Sequence, residues 1–484
     1  MQSMKKFIKQ TSILLISLVF LNSSCTGWLD LLPEDDLVSD EFWMSQEDVE
    51  SVLFNTYGVF AGEVKTLLLW GELRGGLFSE GLSIPGDASR ILLGDVTEVN
   101  SLTNWASLYK VINGANQIIK FAPAVVEKDP SFSTIELNQI LSEAVFLRSI
   151  SYFYLIRTFR DIPLILEPYT SDEQDYYPPK SDEIEVLQQI KKDLDQVIGN
   201  AVNSYESLEY TKGRATKYAI HALLADVNLW INNYPEVITH CDAIINSHNF
   251  ALLGKSNWFE NFYPGNSNSS IFEIQFSKRW GTSPGLYETF SYQKGRQYTI
   301  NPRILELFET DDARGFGASY GKGNLEVWKY IGINPDEERG DALNDNNFII
   351  YRLADIMLLK AEALVEMGDF GSAGNLINEI RLKRGVSEVT IEPNLEAYED
   401  FLMDERAREL LGEGKYWFDL IRIGTRDDYR RKEKVINSLI LNAAAETILA
   451  LQVKFQDPYS WYLPINKDEL MINLQLEQNP YYKN

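Results

Sequence analysis

The sequence predicts a mainly α-helical fold, in which antiparallel helix pairs form a scaffold and an irregular, loop-rich part carries a few short strands. Three observations predict it. Apolar residues recur at three- and four-residue spacing through much of the chain, as buried and amphipathic helices require. Two alanine-rich helices are each followed by a tight turn and a returning helix. Between these pairs, residues 254–345 lose the helical period and contain short alternating runs.

The most strongly apolar helix is predicted within residues 142–164. Apolar side chains cover two of its faces, so we expect it to be buried. Pro163 disfavours the α conformation at Ile162, and the helix should therefore end near Arg160–Asp161. Arg148 lies on an apolar face, where an unpaired guanidinium would be costly. The sequence thus predicts a carboxylate partner for Arg148 from elsewhere in the fold.

The two helix pairs share one design. The first pair, residues 214–247, joins helices at 214–231 and 235–247 through an Asn-Asn-Tyr turn. The second pair occupies residues 352–384 and turns at a Gly-Asp-Phe sequence. Alanines in the leading helix of each pair allow a neighbouring helix to approach closely. This order of elements is typical of tetratricopeptide repeats, in which a helix is followed by a tight turn with an aromatic residue and then by an antiparallel helix.

The irregular stretches carry the predicted strands and loops. Residues 271–276 alternate as a strand does, and residues 327–330 indicate another short strand. Residues 75–100 are rich in Gly and Ser, contain Pro85 and show no helical period, which predicts a long loop. Long loops within compact domains often carry function, so we expect residues 75–100 to form one wall of a binding site.

The amino terminus predicts export and lipid attachment. In residues 1–24 a basic start precedes an apolar run at 13–21, which is too short to span a bilayer. Small residues then precede Cys25, as in a lipobox, where the cysteine carries the lipid. A plain secretory leader with an incidental cysteine is the alternative. We expect residues 25–484 to form a single domain. The chain contains two cysteines, so lipidation of Cys25 would leave Cys241 as a buried free thiol.

The charge balance narrows the classes of partner. The chain has 45 basic and 70 acidic residues, for a net charge of −25. Removal of a leader that carries three lysines and no acid makes the mature chain more acidic still. A field of this sign argues against nucleic acid and anionic lipid headgroups as partners and disfavours highly sulfated or phosphorylated ligands. Locally, Asp404 and Arg408 lie one helical turn apart and predict a surface ion pair.

No catalytic or cofactor motif is present in the sequence. It has three histidines and lacks a nucleophile elbow, a phosphate loop, a dinucleotide fingerprint and a metalloprotease motif. Asp341, Asn344, Asp345 and Asn346 are calcium-type ligands, but the spacing of a calcium loop is absent, which favours a solvated loop. A glycosidase pair of carboxylates is left open, since such a pair is defined by its separation in space.

Several separate motifs resemble one family. The run Glu143-Ala144-x-Phe146-Leu147-Arg148 with Asp161-Ile162-Pro163-Leu164 resembles the hallmark helix of the SusD/RagB family, although Arg160 stands where that family usually has glycine. Further resemblance lies in Thr211-Lys212-Gly213-Arg214, Tyr351-Arg352-Leu353-Ala354-Asp355, Ile380-Arg381-x-x-Arg384-Gly385, Trp417-Phe418-Asp419-Leu420 and Gln478-Asn479-Pro480-Tyr481. The resemblance therefore runs from the leader to the last residues.

The resemblance implies a function. SusD/RagB proteins are surface lipoproteins that capture nutrients for a TonB-dependent outer-membrane transporter. By this resemblance we expect a SusD-like fold, a lipid anchor at Cys25, a position on the outer membrane facing the cell exterior, and a SusC-like transporter as partner. The expected ligand is an oligosaccharide, bound without catalysis, cofactor or metal. Two alternatives remain: a peptide-capturing, RagB-like member, and, from another class, a lipoprotein glycoside hydrolase.

A sugar site would use aromatic side chains beside planar hydrogen-bonding groups, because sugars present apolar C–H faces rimmed by hydroxyls. The irregular block and the segment before the long loop offer such side chains. The candidate ligand residues are Trp280, Tyr287, Tyr292, Tyr298 and Arg296 in the irregular block, and Trp70 and Arg74 before residues 75–100. Each of them can also be interpreted as scaffold packing.

Overall fold

The computed structural model describes residues 42–170, 174, 176–321, 325–340 and 343–483. The predicted leader and Cys25 lie outside these residues. Within them, most buried apolar side chains from Trp43 to Leu476 belong to one large core cluster, and Trp258, Phe262, Ala318 and Ile349 form a second, small one. Cys241 is buried in this core as a free thiol, as predicted.

The described residues are mainly helical, which confirms the predicted fold class. The α-helices are α1 Gln46–Gly62, α2 Val64–Glu72, α3 Gly86–Leu92, α4 Ala106–Lys128, α5 Thr134–Phe159, α6 Glu183–Val197, α7 Leu208–Gly213, α8 Lys217–Trp230 and α9 Tyr234–Ile245. They continue with α10 Leu286–Phe290, α11 Trp328–Ile331, α12 Leu353–Glu366, α13 Phe370–Lys383, α14 Leu395–Leu410, α15 Tyr416–Tyr429, α16 Lys432–Leu439, α17 Ile448–Lys454 and α18 Lys467–Ile472. The strands are β1 Phe78–Glu80, β2 Ser270–Ile274, β3 Tyr298–Ile300 and β4 Phe348–Arg352.

Helix α5 is the buried centre of the fold, as predicted. Its first turn is a capping box, in which Ser133 and Glu136 bond each other's backbone amides. Every residue from Ser142 to Phe159 is buried. The helix ends at Arg160, whose φ of 71° is left-handed. Glycine, which the resembled family usually has at this position, would adopt this positive φ with less strain than arginine, and nothing in the structure explains the departure.

The predicted partner of Arg148 is confirmed. Its Nη2 donates to the Asp193 carboxylate on α6 at 2.8 Å, and Nη1 donates to Asn116 Oδ1 on α4, also at 2.8 Å. All three side chains are buried. The guanidinium therefore ties three helices together across the interior.

Both predicted helix pairs form, with ends within a few residues of those predicted. The first is α8–α9 and the second is α12–α13. Helix α9 packs against α12, so the two pairs lie side by side although about a hundred residues of chain separate them. Gly368 makes the turn of the second pair at φ 80°, where a β-carbon would be strained. This stack is the scaffold that the alanine pattern predicts.

The strands form two antiparallel two-stranded sheets. Strand β2 pairs with β4, which confirms a strand near residues 271–276, and β1 pairs with β3. Two predictions are wrong. Residues 327–330 form no strand, because Val327 makes only an isolated bridge with Tyr320 and the helical turn α11 begins at Trp328. All four side chains are buried, so their sequence could not show the alternation of buried and exposed residues that separates a strand from a helix. Residues 75–100 are not one continuous loop: they contain β1 and α3, which are too short to show a period.

The predicted surface pair of Asp404 and Arg408 is also wrong. Arg408 is buried and donates instead to Glu405 on the same helix at 2.7 Å. Helix α14 lies inside the molecule, and its acidic and basic side chains meet opposite charges from other segments. Its Glu405, for example, also receives Arg314 at 2.6 Å.

Candidate ligand-binding site

The structure brings the two predicted loop regions together. Strand β1 pairs with β3 so that Glu80 lies opposite Tyr298. Beyond the sheet, the amide of Gly81 donates to the carbonyl of Gln297 at 2.9 Å, and the amide of Leu82 donates to the carbonyl of Arg296 at 2.7 Å. Residues just after β1 thus lie against residues 278–297, which we call the aromatic segment.

Trp280 is the most exposed of the candidate ligand residues, with 75% of its surface accessible. It closes a 3₁₀ turn at Lys278–Trp280, and Gly281 follows in the left-handed conformation at φ 70°. The turn is tied at its base, because the Ser277 amide donates to Thr282 Oγ1 at 2.8 Å. The guanidinium of Arg279 lies 5.4 Å from the Trp280 ring. A flat aromatic face therefore projects into solvent from a closed turn.

Residues 344–347 hold this turn in place. The carboxylate of Asp345 accepts from the Lys278 amide at 2.9 Å, and the Asn344 carbonyl accepts from Ser283 Oγ at 2.8 Å. The Asn344 side chain also donates to Glu288 at 2.7 Å. The described residues do form a loop, as predicted, but the loop is only partly solvated, because Asn346 is buried and Asn344 and Asp345 bond the turn. In the described part of the chain no three His, Cys, Asp or Glu side chains come together as a metal site; Asp341 lies outside that part.

A cleft of about 430 Å³ adjoins the Trp280 turn. It lies between the carboxyl end of α1, strand β2 and residues 281–284. Its lining is Tyr57, Gly58, Phe60, Ala61, Gly62, Gly213, Phe272, Ile274, Gln275, Phe276, Gly281, Thr282, Ser283 and Pro284. Gln275 forms a fixed polar wall, because Asn266 and Asn347 bond its amide at 2.7 and 2.9 Å. The size and mixed lining are those of a small-ligand cleft.

Tyr292 is the second exposed aromatic side chain of the aromatic segment, with 54% of its surface accessible. The Arg296 guanidinium lies 5.6 Å from its ring and 3.7 Å from the Glu326 carboxylate. Leu82, which contacts this stretch through its backbone, is 64% exposed. Arg296 is buried and paired with Glu326, so only Tyr292 of these two candidates presents its side chain to solvent, and ligand contact by either stays an untested prediction.

The other candidate tyrosines are buried. Tyr287 is 1% exposed and its hydroxyl donates to Glu338 at 3.3 Å. Tyr298 has no exposed surface and stacks with Phe78 in the β1–β3 sheet. These positions favour a packing role, and ligand contact by either residue stays an untested prediction.

Trp70 and Arg74 are buried as well. Trp70 donates its indole N–H to the Leu102 carbonyl at 2.8 Å. Arg74 donates to the Trp461 carbonyl, and its guanidinium lies 4.6 Å from the Trp417 ring. Burial lowers the pKa of Arg74 to about 10, so it stays charged at neutral pH. Both side chains connect α2 to distant parts of the core, and a role in binding ligand is again untested.

The histidines show no catalytic arrangement. His221 and His240 face each other across the α8–α9 pair, with their Nδ1 atoms 3.0 Å apart. Burial, and then the neighbouring His240, lower the pKa of His221 to about 4. The pair is therefore neutral at neutral pH, and it belongs to the helical scaffold, not to the cleft.

Comparison with known proteins points to one family. Residues 327–482 match a family model described as "SusD family", and residues 28–229 match one described as "Starch-binding associating with outer membrane". A curated relative, SusD-like protein P38 from Formosa agariphila, is 27% identical; the alignment covers 99% of this chain and all of the relative.

Solved structures have the same fold. A SusD superfamily protein from Bacteroides thetaiotaomicron superimposes with a TM-score of 0.75 at 25% identity, over 91% of this chain and 99% of that one. Another, from Bacteroides vulgatus, gives a TM-score of 0.77 at 21% identity, over 91% of this chain and all of the other.

Proposed function

This chain belongs to the SusD/RagB family, and we propose that it is a cell-surface lipoprotein that binds an oligosaccharide and passes it unchanged to a SusC-like, TonB-dependent transporter. The family is one of nutrient-binding proteins associated with the outer membrane. The identity of the ligand and the partnership with the transporter are our proposal.

One observation carries the choice of an oligosaccharide. The exposed indole of Trp280 stands on a tied turn beside a cleft with a fixed amide wall. A sugar ring can stack its C–H face on such an indole while its hydroxyls bond to nearby planar groups. Because the turn is held at Ser277 and at Asp345, little conformational freedom is lost on binding.

The aromatic segment differs in charge from the protein as a whole. Lys278, Arg279 and Lys294 are exposed on it, whereas the chain carries a net charge of −25. Basic side chains at this place would tolerate an acidic sugar that the rest of the surface repels. Acidic glycans therefore belong among the ligands to be tested.

Attachment to the membrane is proposed through a lipid on Cys25, which lies outside the described residues. No described helix has both the length and the apolar character needed to cross a bilayer. We also propose that residues 25–484 act as one domain, which the continuous core from Trp43 to Leu476 supports.

We expect Trp280→Ala to weaken oligosaccharide binding by about tenfold or more, since a stacked aromatic anchor contributes at least 1.4 kcal/mol, which is about one decade in Kd. Tyr292→Ala should have a smaller effect in the same direction. Calorimetric titration of the purified protein with the oligosaccharide that binds it best measures both.

The matched control is Tyr210→Ala, because Tyr210 is 52% exposed and does not line the cleft or belong to the aromatic segment, although Gly213 at the end of the same helix does line the cleft. It should bind as the unaltered protein does. Equal affinity of Trp280→Ala and the unaltered protein would refute the proposed site. Binding of peptides in place of glycans would favour the peptide-capturing alternative.

A further inference from the structure

The side chains that line the cleft beside Trp280 keep few hydrogen-bond donors for a ligand. Three of them carry hydroxyl groups, namely Tyr57, Thr282 and Ser283. Each hydroxyl has one proton, and each already donates it to another part of the protein, at 2.8, 3.2 and 2.8 Å respectively. A ligand in the cleft therefore receives no hydrogen bond from these hydroxyls, although their oxygens retain a lone pair with which to accept one.

Gln275 keeps one donor. The Phe276 amide donates to Asn347 Oδ1 at 3.1 Å, so Asn347 Nδ2 is the group that donates to Gln275 Oε1 at 2.9 Å. The amide of Gln275 is thereby oriented with its nitrogen toward Asn266, to whose Oδ1 it donates at 2.7 Å. An amide nitrogen has two N–H groups, and the second has no acceptor among the described residues. Because Gln275 is half-buried and lines the cleft, this N–H is the donor that the lining offers to a ligand.

Much of the remaining wall of the cleft is apolar. Its large apolar side chains are Phe60, Phe272, Ile274, Phe276 and Pro284. Within the described residues no charged side chain lines the cleft, although 24% of the chain is charged. A ring with several hydroxyls is poorly matched to such a wall, since each hydroxyl buried there without a partner loses its hydrogen bonds to water. A group with one strong acceptor and an apolar end is well matched.

We propose that the cleft receives the acetamido group of an N-acetylated sugar whose ring stacks on Trp280. The carbonyl oxygen of this group accepts from Gln275 Nε2, and its methyl group packs against Phe272 and Phe276. Gly281 follows Trp280 directly and itself lines the cleft, so neighbouring residues hold the ring and its substituent. The inference rests on the proposed function and narrows its ligand from oligosaccharides in general to those that contain acetamido sugars.

The test compares sugars in matched pairs. Triacetylchitotriose and cellotriose have the same rings and linkages and differ in carrying an acetamido group or a hydroxyl at carbon 2. Methyl 2-acetamido-2-deoxygalactoside and methyl galactoside form the corresponding galactose pair. Each sugar is titrated into the mature protein, residues 26–484. We expect the acetylated member of at least one pair to bind more tightly by about tenfold or more, and saturation-transfer NMR to show the strongest transfer to its acetyl methyl protons.

A cleft-filling variant tests the location. Gly62 lines the cleft, and a β-carbon on it would meet no atom within 4 Å, so Gly62→Leu should fold normally and obstruct the cleft. It should abolish the preference for the acetylated sugar. The control is Gly199→Leu, because a β-carbon on Gly199 also meets no atom within 4 Å and this residue lies outside the cleft. It should bind as the unaltered protein does.

A second variant tests the donor. Gln275→Glu still accepts from the side-chain amides of Asn266 and Asn347 but has no N–H for the acetamido carbonyl. It should weaken binding of the acetylated sugar by about tenfold and change the affinity for its hydroxyl counterpart much less. Thermal unfolding of each variant shows that the fold is retained.

Equal affinities within both pairs would overturn the inference and leave the proposed function standing, since sugars would then bind without use of the acetamido group. A preference that survives in Gly62→Leu would overturn it as well. Failure of the proposed function gives a different result, in which no member of either pair and no other glycan binds. Binding of peptides in place of sugars would count against both and favour the peptide-capturing alternative.

Discussion

Glu409→Gln is expected to lower the free energy of unfolding by about 3–5 kcal/mol, the usual effect of removing one partner from a buried ion pair. Glu409 lies on α14 without exposed surface and receives three guanidinium groups. Arg352 and Arg384 donate to its Oε1 at 2.6 and 2.7 Å, and Arg314 donates to its Oε2 at 3.2 Å. The glutamine would leave these buried cations without their shared anion.

The lowered pKa of Glu409 supports the same expectation. Burial alone would raise the pKa of this carboxyl, but Arg384 and Arg352 outweigh burial and hold the pKa well below its usual range. The carboxylate is thus ionised in the folded protein at any pH near neutrality. A neutral amide of the same shape preserves packing, so the change in stability reports the charge.

Equilibrium unfolding in urea measures this effect. The control is Glu396→Gln, because Glu396 pairs with Arg431 at 2.7 Å but is 73% exposed. Exposed pairs contribute less than about 1 kcal/mol, so the control should unfold nearly as the unaltered protein does. A loss below 1 kcal/mol for Glu409→Gln would mean that the network does not stabilise the fold.

Gly71→Ala is expected to lower the free energy of unfolding by about 3 kcal/mol, the upper part of the range for overpacking a dense interior. A β-carbon on residue 71 would overlap the carbonyl group of Gly414. Gly414 cannot move away easily, because its amide donates to the Glu72 carboxyl at 2.9 Å and its φ is 72°. Helix α2 and the turn before α15 would have to separate.

Gly58→Ala is the control, because it measures the helix propensity of alanine at a position where the added methyl group meets no other atom. Gly58 is exposed in the middle of α1, and a β-carbon there would meet no atom within 4 Å. Alanine should stabilise this helix by up to about 1 kcal/mol. Thermal unfolding of the two variants should therefore shift in opposite directions, and a stabilising effect of Gly71→Ala would contradict the close packing of α2 on the turn.

The helical scaffold could be predicted because its signals are local. The end of α5 follows from Pro163, and the stacked pairs follow from alanine spacing and tight turns. The charges of α14 could not be placed in the same way. Taken alone, the charged residues 404–409 are typical of a solvent-exposed helix face. They are buried because Arg314, Arg352 and Arg384, which belong to other segments, pair with Glu409.

The candidate ligand-binding site could likewise be predicted only in part from the sequence. Trp280, Tyr287, Tyr292 and Tyr298 lie close together in sequence, yet only Trp280 and Tyr292 are exposed. Tyr298 is buried because β3 pairs with β1, more than two hundred residues earlier, and no local pattern marks that pairing. The glycines shortly after Trp280 and Tyr292 are the signal that could have separated them, since both residues precede left-handed turns.

The central claim is capture without chemical change. The most direct test titrates the mature protein, residues 26–484, with panels of neutral glycans, acidic glycans and peptides, and analyses every mixture for products. We predict saturable binding of an oligosaccharide that is recovered intact. Shorter sugars that accumulate with time in the presence of the purified protein would contradict the claim, and would identify the protein as a glycoside hydrolase.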